Sequence, residues 1–402
     1  MALSFGEDGI PLVTVERLAE LPPSDIDDLR RTTPLVRTGE TRVVALRCDD
    51  VEKLSNDPGL MQLPGAPYAD AMGIPPGRCR GFLEGSMLMS NGADHKRLRG
   101  AFAKTFAHPV VRGKREQVRA VADRIVADLP RGEDFDFLAL CASRLPAEMI
   151  AEVLGLPVDQ STWFATRVYS FSRCLMLPYD IEHHDEIEAA AEALYCFVAD
   201  ALDERRETPR DDLLSRLVTD ESARALAAEE LIHQVMSVIL AGSDTTRSGF
   251  NITVGRLLGD RAIWDEVRAQ PNLIPAAIDE ALRIEPPVGS MPRFTPAPVA
   301  LDNMTIPPGQ VLGLSTLSAM RDENRIKLPE TFDLHRKDHV RPHLVFGGGA
   351  HRCLGEMLAR IELEEGLAAL MEAVPEIEMI EAPHMLGFGG IRRSTPLVAR
   401  IG

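Results

Sequence analysis

One cysteine, set in Phe346-Gly347-Gly348-Gly349-Ala350-His351-Arg352-Cys353-Leu354-Gly355, constrains this 402-residue chain more than any other feature. Residues 356–376 carry Leu358, Ile361, Leu363, Leu367 and Leu370 at helical spacing. Cys353 therefore falls at or just before a helix N-terminus, where the partial positive charge of the first amides favours thiolate over thiol. Gly347 and Gly349 can adopt backbone angles closed to other residues, so a tight loop can turn its amides toward the sulfur and lie flat against a bulky planar ligand. The cysteine reads as a metal-bound thiolate, and a haem would fit such a surface. No C-x-x-C-H occurs, which removes covalent c-type attachment.

Two helical segments carry polar groups where apolar ones would be expected. Ala228–Leu258 reads as one long apolar helix, yet Ala241-Gly242-Ser243-Asp244-Thr245-Thr246 sits in its middle. A hydroxyl at Thr245 can bond the carbonyl of Ala241 four residues earlier, which weakens the backbone ladder and leaves a polar notch. Glu280 and Arg283 lie three apart on a helix over 279–284 and so share a face. By spacing alone that pair is an ordinary exposed ion pair. His95 and Arg99, four apart, leave one face of a helix over 94–106 opened by Asn91 or Asp94.

Most of the chain reads as helix, including 187–205 and 275–284, with short strands at 41–46, 299–301 and 311–314. No repeat or linker divides it, so residues 1–402 are expected to form a single domain. Hydrophobic residues at 45% beside 26% charged describe a globular protein, and the net charge of −17 argues against nucleic acid as a partner. The start, Met1-Ala2-Leu3-Ser4-Phe5-Gly6-Glu7-Asp8-Gly9, has no basic lead or apolar core. A cytoplasmic protein with no membrane association is expected. Apart from Cys353, the cysteines (Cys48, Cys79, Cys141, Cys174, Cys196) show no pairing rhythm and read as small buried hydrophobes.

The filled pattern F-G-x-G-x-H-x-C-x-G resembles the haem-ligand loop of the cytochrome P450 superfamily, soluble bacterial type. The resemblance implies a mainly α fold, a triangular helical prism with small β-sheets, holding haem b (iron protoporphyrin IX) with Cys353 as the axial ligand of its iron. Ala241 to Thr246 is similar to the oxygen-binding helix, which implies Asp244 as proton-relay acid and Thr245 as the hydroxyl holding dioxygen and water. Glu280 and Arg283 match the family's structural E-x-x-R, with Arg336 the best candidate for a third member. Thr331 stands where the eukaryotic form of that motif carries arginine. His95 and Arg99 match an H-x-x-x-R, and Arg293 and His351 match two further partners for the haem propionates. His343 occupies a position that is often histidine in bacterial members, and Phe346 and Gly347 complete the cofactor-binding set.

What the resemblance implies chemically is a monooxygenase that inserts one oxygen atom of O2 into a hydrophobic small molecule. Its electrons would come from a separate ferredoxin, with its reductase, or from a flavodoxin. Lys96, Arg97, Arg99, Lys104, Arg112, Lys114, Arg115 and Arg119, with Glu116 the nearby offset, read either as a solvated helix face or as a docking patch for that donor, which Arg352 could join. By analogy the substrate pocket would take Met87, Leu88, Met89, Met236, Leu240, Ala241, Val288, Ser290, Met291 and Phe388. The stretch 164–177 reads as a mobile lid or as plain core. Two alternatives stand beside this reading: a peroxide-using or rearranging haem-thiolate enzyme, and a non-catalytic haem sensor.

Overall fold

The computed structural model describes residues 4–6, 9–103, 106–155, 157, 160–176, 179–302, 304–338 and 343–402. They cluster into two compact units, each assembled from separated stretches of chain. The first holds Met1–Leu63, Ala276–Cys353 and Met385–Arg393; the second holds Pro64–Pro275, Leu354–His384 and Ser394–Gly402.

A sheet organises the first unit. Its strands lie in the spatial order Ser4–Phe5, Pro11–Leu12, Leu35–Gly39, Arg42–Ala45, Val311–Ser315, Val288–Phe294, Gly390–Ile391. Arg42–Ala45 runs parallel to Val311–Ser315, and Val288–Phe294 returns antiparallel on the far side. Successive residues of a strand face opposite ways. Leu35, Val43 and Ala45 accordingly join a core with Ile10, Leu312 and Leu314, while Val36 and Val44 join another with Leu18, Leu29 and Phe388. Burial on both faces explains why these strands are near-continuous apolar runs that lack the alternation of a half-exposed strand. The expected strands occur as Arg42–Ala45, Val299–Leu301 and Val311–Ser315. Val288–Phe294, which local pattern missed, contains Gly289 and Pro292 and is a strand because it pairs with Val311–Ser315.

Helices make up most of the second unit. The long helix runs Ala228–Leu258 as expected, and those expected over 94–106, 187–205 and 356–376 occur as Gly92–Ala103, His184–Glu207 and Glu356–Ala373. Gly366 lets Glu356–Ala373 approach its neighbours, since an added Cβ would lie 2.8 Å from both Leu145 and Phe250. In the stretch 164–177, Phe164, Val168, Phe171 and Cys174 are buried, and the Phe171 ring meets Phe82 edge-on at 4.9 Å. Leu177 lies outside the described residues. No described helix is long and apolar enough to cross a membrane.

Two expectations need correction. Cys48, Cys79, Cys141 and Cys174 are buried, but Cys196 is exposed and its thiol donates to the Glu192 carboxylate at 3.4 Å, one turn back on the solvent side of its helix. The basic segment is not offset by Glu116 alone. Arg97 is gripped by Glu230, Arg115 by Glu364 and Glu365, and Arg119 by Glu372 and Asp123. The long helix and Glu356–Ala373 supply most of these acids, distant in sequence. Lys104 falls outside the described residues.

Candidate functional site

In the first unit the cysteine loop is braced by three hydrogen bonds, one of them within its own backbone. The Cys353 amide donates to the Phe346 carbonyl at 2.8 Å, the Arg352 guanidinium to the Gly347 carbonyl at 2.8 Å, and the Gly349 amide to Asn56 Oδ1 at 2.9 Å. Gly347 and Gly349 sit at φ +73° and +64°, and a Cβ on Gly349 would meet the Ser55 carbonyl oxygen at 2.7 Å. Glycine is therefore required twice, for conformation and for space. None of these bonds uses the Cys353 sulfur, which stays in an exposed residue.

Arg293, on the strand Val288–Phe294, is buried. Its Nη1 donates to Gln62 Oε1 at 3.0 Å and to the Pro292 carbonyl at 2.9 Å, both neutral. Among the described residues no carboxylate pairs with it, and burial lowers its pKa. A buried guanidinium without a counter-charge calls for an anionic ligand. His343 is also buried, with Nε2 3.2 Å from the Asp279 carbonyl and Nδ1 accepting from the Val345 amide at 3.4 Å. His351 is half-buried within the loop. In the second unit His95 is buried on Gly92–Ala103, and burial, then the neighbouring Arg99 charge, holds its imidazole below the ordinary range.

Glu280 is fully buried and is shared by two arginines. Arg283 Nε donates to Oε2 at 2.7 Å and its Nη2 to Oε1 at 2.9 Å, while Arg336 Nε reaches Oε1 at 2.8 Å and the Asp333 amide the same oxygen at 3.0 Å. Burial alone would raise the Glu280 pKa, but these donors hold it below the ordinary carboxylate value. Both arginines also donate to the Thr331 carbonyl, so Thr331 contributes through its backbone.

In the second unit, the notch in the long helix separates its acid from its alcohol. Thr245 is half-buried and donates its hydroxyl to the Ala241 carbonyl at 3.1 Å. Asp244 is buried with both oxygens engaged, Oδ1 by the Arg247 guanidinium and Oδ2 by the Ser172 hydroxyl at 2.9 Å. Arg247 in turn lies 3.7 Å from the Tyr169 ring centroid, and the Tyr169 hydroxyl donates to the Ser143 carbonyl at 2.7 Å. Sequence reasoning missed Arg247 and Ser172, and placed Tyr169 in the 164–177 stretch without its link to Asp244. Arg247 was legible as an i,i+3 partner of Asp244; Ser172 and Tyr169 carried no local signal.

Glu362 was also missed, although a carboxylate between Ile361 and Leu363 in an apolar stripe is a visible anomaly. It is buried, and that burial pushes its pKa well above the ordinary 4.5. Below that ordinary value both folded and unfolded chains carry the proton. As pH rises above it the unfolded chain ionises first, so this group's share of stability falls until the folded carboxyl also ionises. Glu362→Gln should therefore raise the thermal midpoint by about 1–3 °C at pH 8 and leave it unchanged near pH 4. Thermal melts across that range check this; an equal effect at both ends would contradict it.

The residues read as a pocket belong to both units. Met87, Met236 and Leu240 are buried in the second unit, with Leu88 and Met89 half-buried and Ala241 exposed. In the first unit Met291 and Phe388 pack in the two cores flanking the sheet, Ser290 is buried opposite Ser315, and Val288 is half-buried.

A haem fits the residues present on two counts within the first unit: an exposed thiol on a braced glycine loop suits a metal, and the buried Arg293, with no carboxylate partner among the described residues, suits a propionate. The comparisons with known proteins agree. The family model described as Cytochrome P450 matches residues 159–374. Cytochrome P450-pinF1, plant-inducible, of Rhizobium radiobacter is 38% identical over 391 residues, 97% of this chain and 92% of that protein. Nocardicin C N-oxygenase of Nocardia uniformis subsp. tsuyamanensis is 30% identical over 375 residues, 91% and 92% of the two chains. Among solved structures, CxnD, a cytochrome P450 enzyme for C–S bond formation in chuangxinmycin biosynthesis, superposes with a TM-score of 0.85 at 26% identity, covering 95% of each chain.

Proposed function

The chain belongs to the cytochrome P450 family, and from that premise we propose that it inserts one oxygen atom of O2 into an apolar small organic molecule in the cytoplasm, with electrons from a separate ferredoxin or flavodoxin. Membership makes it a haem-thiolate monooxygenase, an oxidoreductase that incorporates molecular oxygen. The observation that carries the reading is the exposed Cys353 thiol on a braced loop, in the same unit as a buried guanidinium that no carboxylate pairs with among the described residues.

Haem b, when bound, supplies the redox centre at which dioxygen is activated. Cys353 would hold its iron, with Phe346 and Gly347 against the macrocycle. Arg293, His95, Arg99 and His351 would serve its propionates, while His343, whose two ring nitrogens are engaged by the Asp279 carbonyl and the Val345 amide, would support the cofactor loop from behind. Glu280, Arg283 and Arg336 would stiffen the chain that leads into the loop, and residues 1–402 would act as one catalytic domain.

Proton supply would rest on the notch. Because the Thr245 hydroxyl donates to the Ala241 carbonyl, its Oγ1 has lone pairs left to accept a hydrogen bond from water, and rotating the hydroxyl hands a proton onward. Asp244 would relay protons only as its bonds to Arg247 or Ser172 exchange, since both oxygens are engaged. Lys96 and Arg112 remain exposed on the basic segment and support docking of an acidic electron carrier. The apolar character of Met87, Leu88, Met89, Met236 and Leu240 supports the substrate class. Relatives named for nocardicin C and for mycinamicin IV differ in compound, so the class stays broad.

Thr245→Ala should uncouple electron use from product. The fraction of consumed reductant recovered as oxidised substrate is expected to fall by about tenfold, a loss near 1.4 kcal/mol in the relevant barrier. Unchanged coupling would favour a peroxide-using enzyme instead.

A further inference from the structure

The segment that carries Met87–Met89 is tied to the long helix by a buried clasp. Gln234 lies at its centre, with no exposed surface. Its Oε1 accepts from the Met87 amide at 2.6 Å, and its Nε2 donates to the Gly85 carbonyl and to the Glu230 carbonyl, both at 2.9 Å. Only this orientation of the amide satisfies all three partners. One turn on, Ser237 uses its proton on the His233 carbonyl at 2.8 Å, so the 2.7 Å contact between Ser86 and Ser237 has Ser86 as donor. Ser86 Oγ in turn accepts from the Leu88 amide at 3.1 Å. A side chain at position 85 is barred because its Cβ would lie 2.3 Å from His233 Nδ1.

We propose that Gln234 is a specificity-determining positioning residue: by bridging Gly85 and Met87 it holds the Met87–Met89 segment at one distance from Met236 and Leu240, so that compact apolar substrates are selected by shape. The inference rests on the reading that Met87–Met89 face the substrate. Its physical core is that a loop whose buried Met87 amide and part-buried Gly85 carbonyl are both satisfied by one side chain cannot swing outward without breaking both bonds at once. A loop held in that way presents a preformed wall, and larger ligands then pay for breaking it.

The test uses haem-loaded protein carrying Gln234→Leu, which removes both bridging bonds, and Gln234→Glu, which keeps the acceptor for Met87 but loses the donor to Gly85. Hydrogen exchange at the Met87 and Leu88 amides reads the clasp. Binding of phenylimidazole, naphthylimidazole and a steroid-sized azole, followed by the haem absorbance, reads selectivity. Exchange should quicken by about tenfold or more in Gln234→Leu and by less in Gln234→Glu. The affinity ratio between phenylimidazole and the steroid-sized probe should shrink by a similar factor, with KM for a compact substrate rising more than kcat falls. Unchanged exchange in both variants overturns the clasp. Faster exchange with an unchanged affinity ratio overturns the proposal differently, by showing that Met87–Met89 do not face the substrate. If Gln234→Leu does not fold, Gln234→Met, which matches glutamine in length and likewise leaves the Met87 amide without its acceptor, reads the same exchange and decides.

Discussion

Cys353→Ala protein, reduced under carbon monoxide, is expected to lose the thiolate-type absorbance completely, and with it all monooxygenase turnover. The loop should survive the substitution. Its bracing bonds run from the Cys353 amide to Phe346, from Arg352 to Gly347 and from Gly349 to Asn56, and none involves the sulfur. Alanine accepts the same backbone conformation, so the loss would report on ligation and not on collapse of the loop. Cys353→Ser refines the result: an oxygen ligand could retain some pigment while the thiolate signature still disappears. Persistence of that signature in the alanine protein would end the haem-thiolate assignment to this residue.

Glu280→Gln should cost about 3–5 kcal/mol, the range seen when one partner is removed from a buried ion pair. The substitution keeps shape and volume but removes the charge that Arg283 and Arg336 share, leaving the buried Arg283 with no carboxylate partner among the described residues and Arg336 with Asp338. Against a typical total stability of roughly 5–15 kcal/mol, a loss of that size should lower the denaturant midpoint strongly or abolish soluble haem-loaded protein. Arg336→Lys should be milder, since a charge remains while the guanidinium bonds to Lys327 and Leu328 are lost. An unfolding free energy for Glu280→Gln within about 1 kcal/mol of the parent would show that the triad contributes little.

Legibility followed the range of the interaction. The bounds of the long helix, the bond from Thr245 to Ala241 and the positive φ of Gly347 and Gly349 all arise within a few residues, where spacing and side-chain chemistry suffice. Arg336 as the third member of the Glu280 group came from family pattern, not from local spacing, because it lies 56 residues from its partner. The strand Val288–Phe294 escaped because Gly289 and Pro292 oppose strand formation locally, and pairing with Val311–Ser315 overrides them. The charge of the basic segment was over-counted for the same reason: Glu364, Glu365 and Glu372 neutralise Arg115 and Arg119 from more than 200 positions away. The packing of Phe388 beside Leu18 and Leu29 was likewise invisible from its loop.

By itself, then, the sequence determined the cysteine loop, the polar notch, the helical architecture and the family to which the chain belongs. Each depends on residue type at short fixed spacing, which covalent geometry carries directly into space. Only the tertiary structure decided which charges are compensated: Glu280 twice over, Asp244 by Arg247 and Ser172, Arg293 by no carboxylate among the described residues. Compensation is a matter of burial and of neighbours a few ångströms away, and those neighbours come mostly from distant parts of the chain, so no local pattern encodes them.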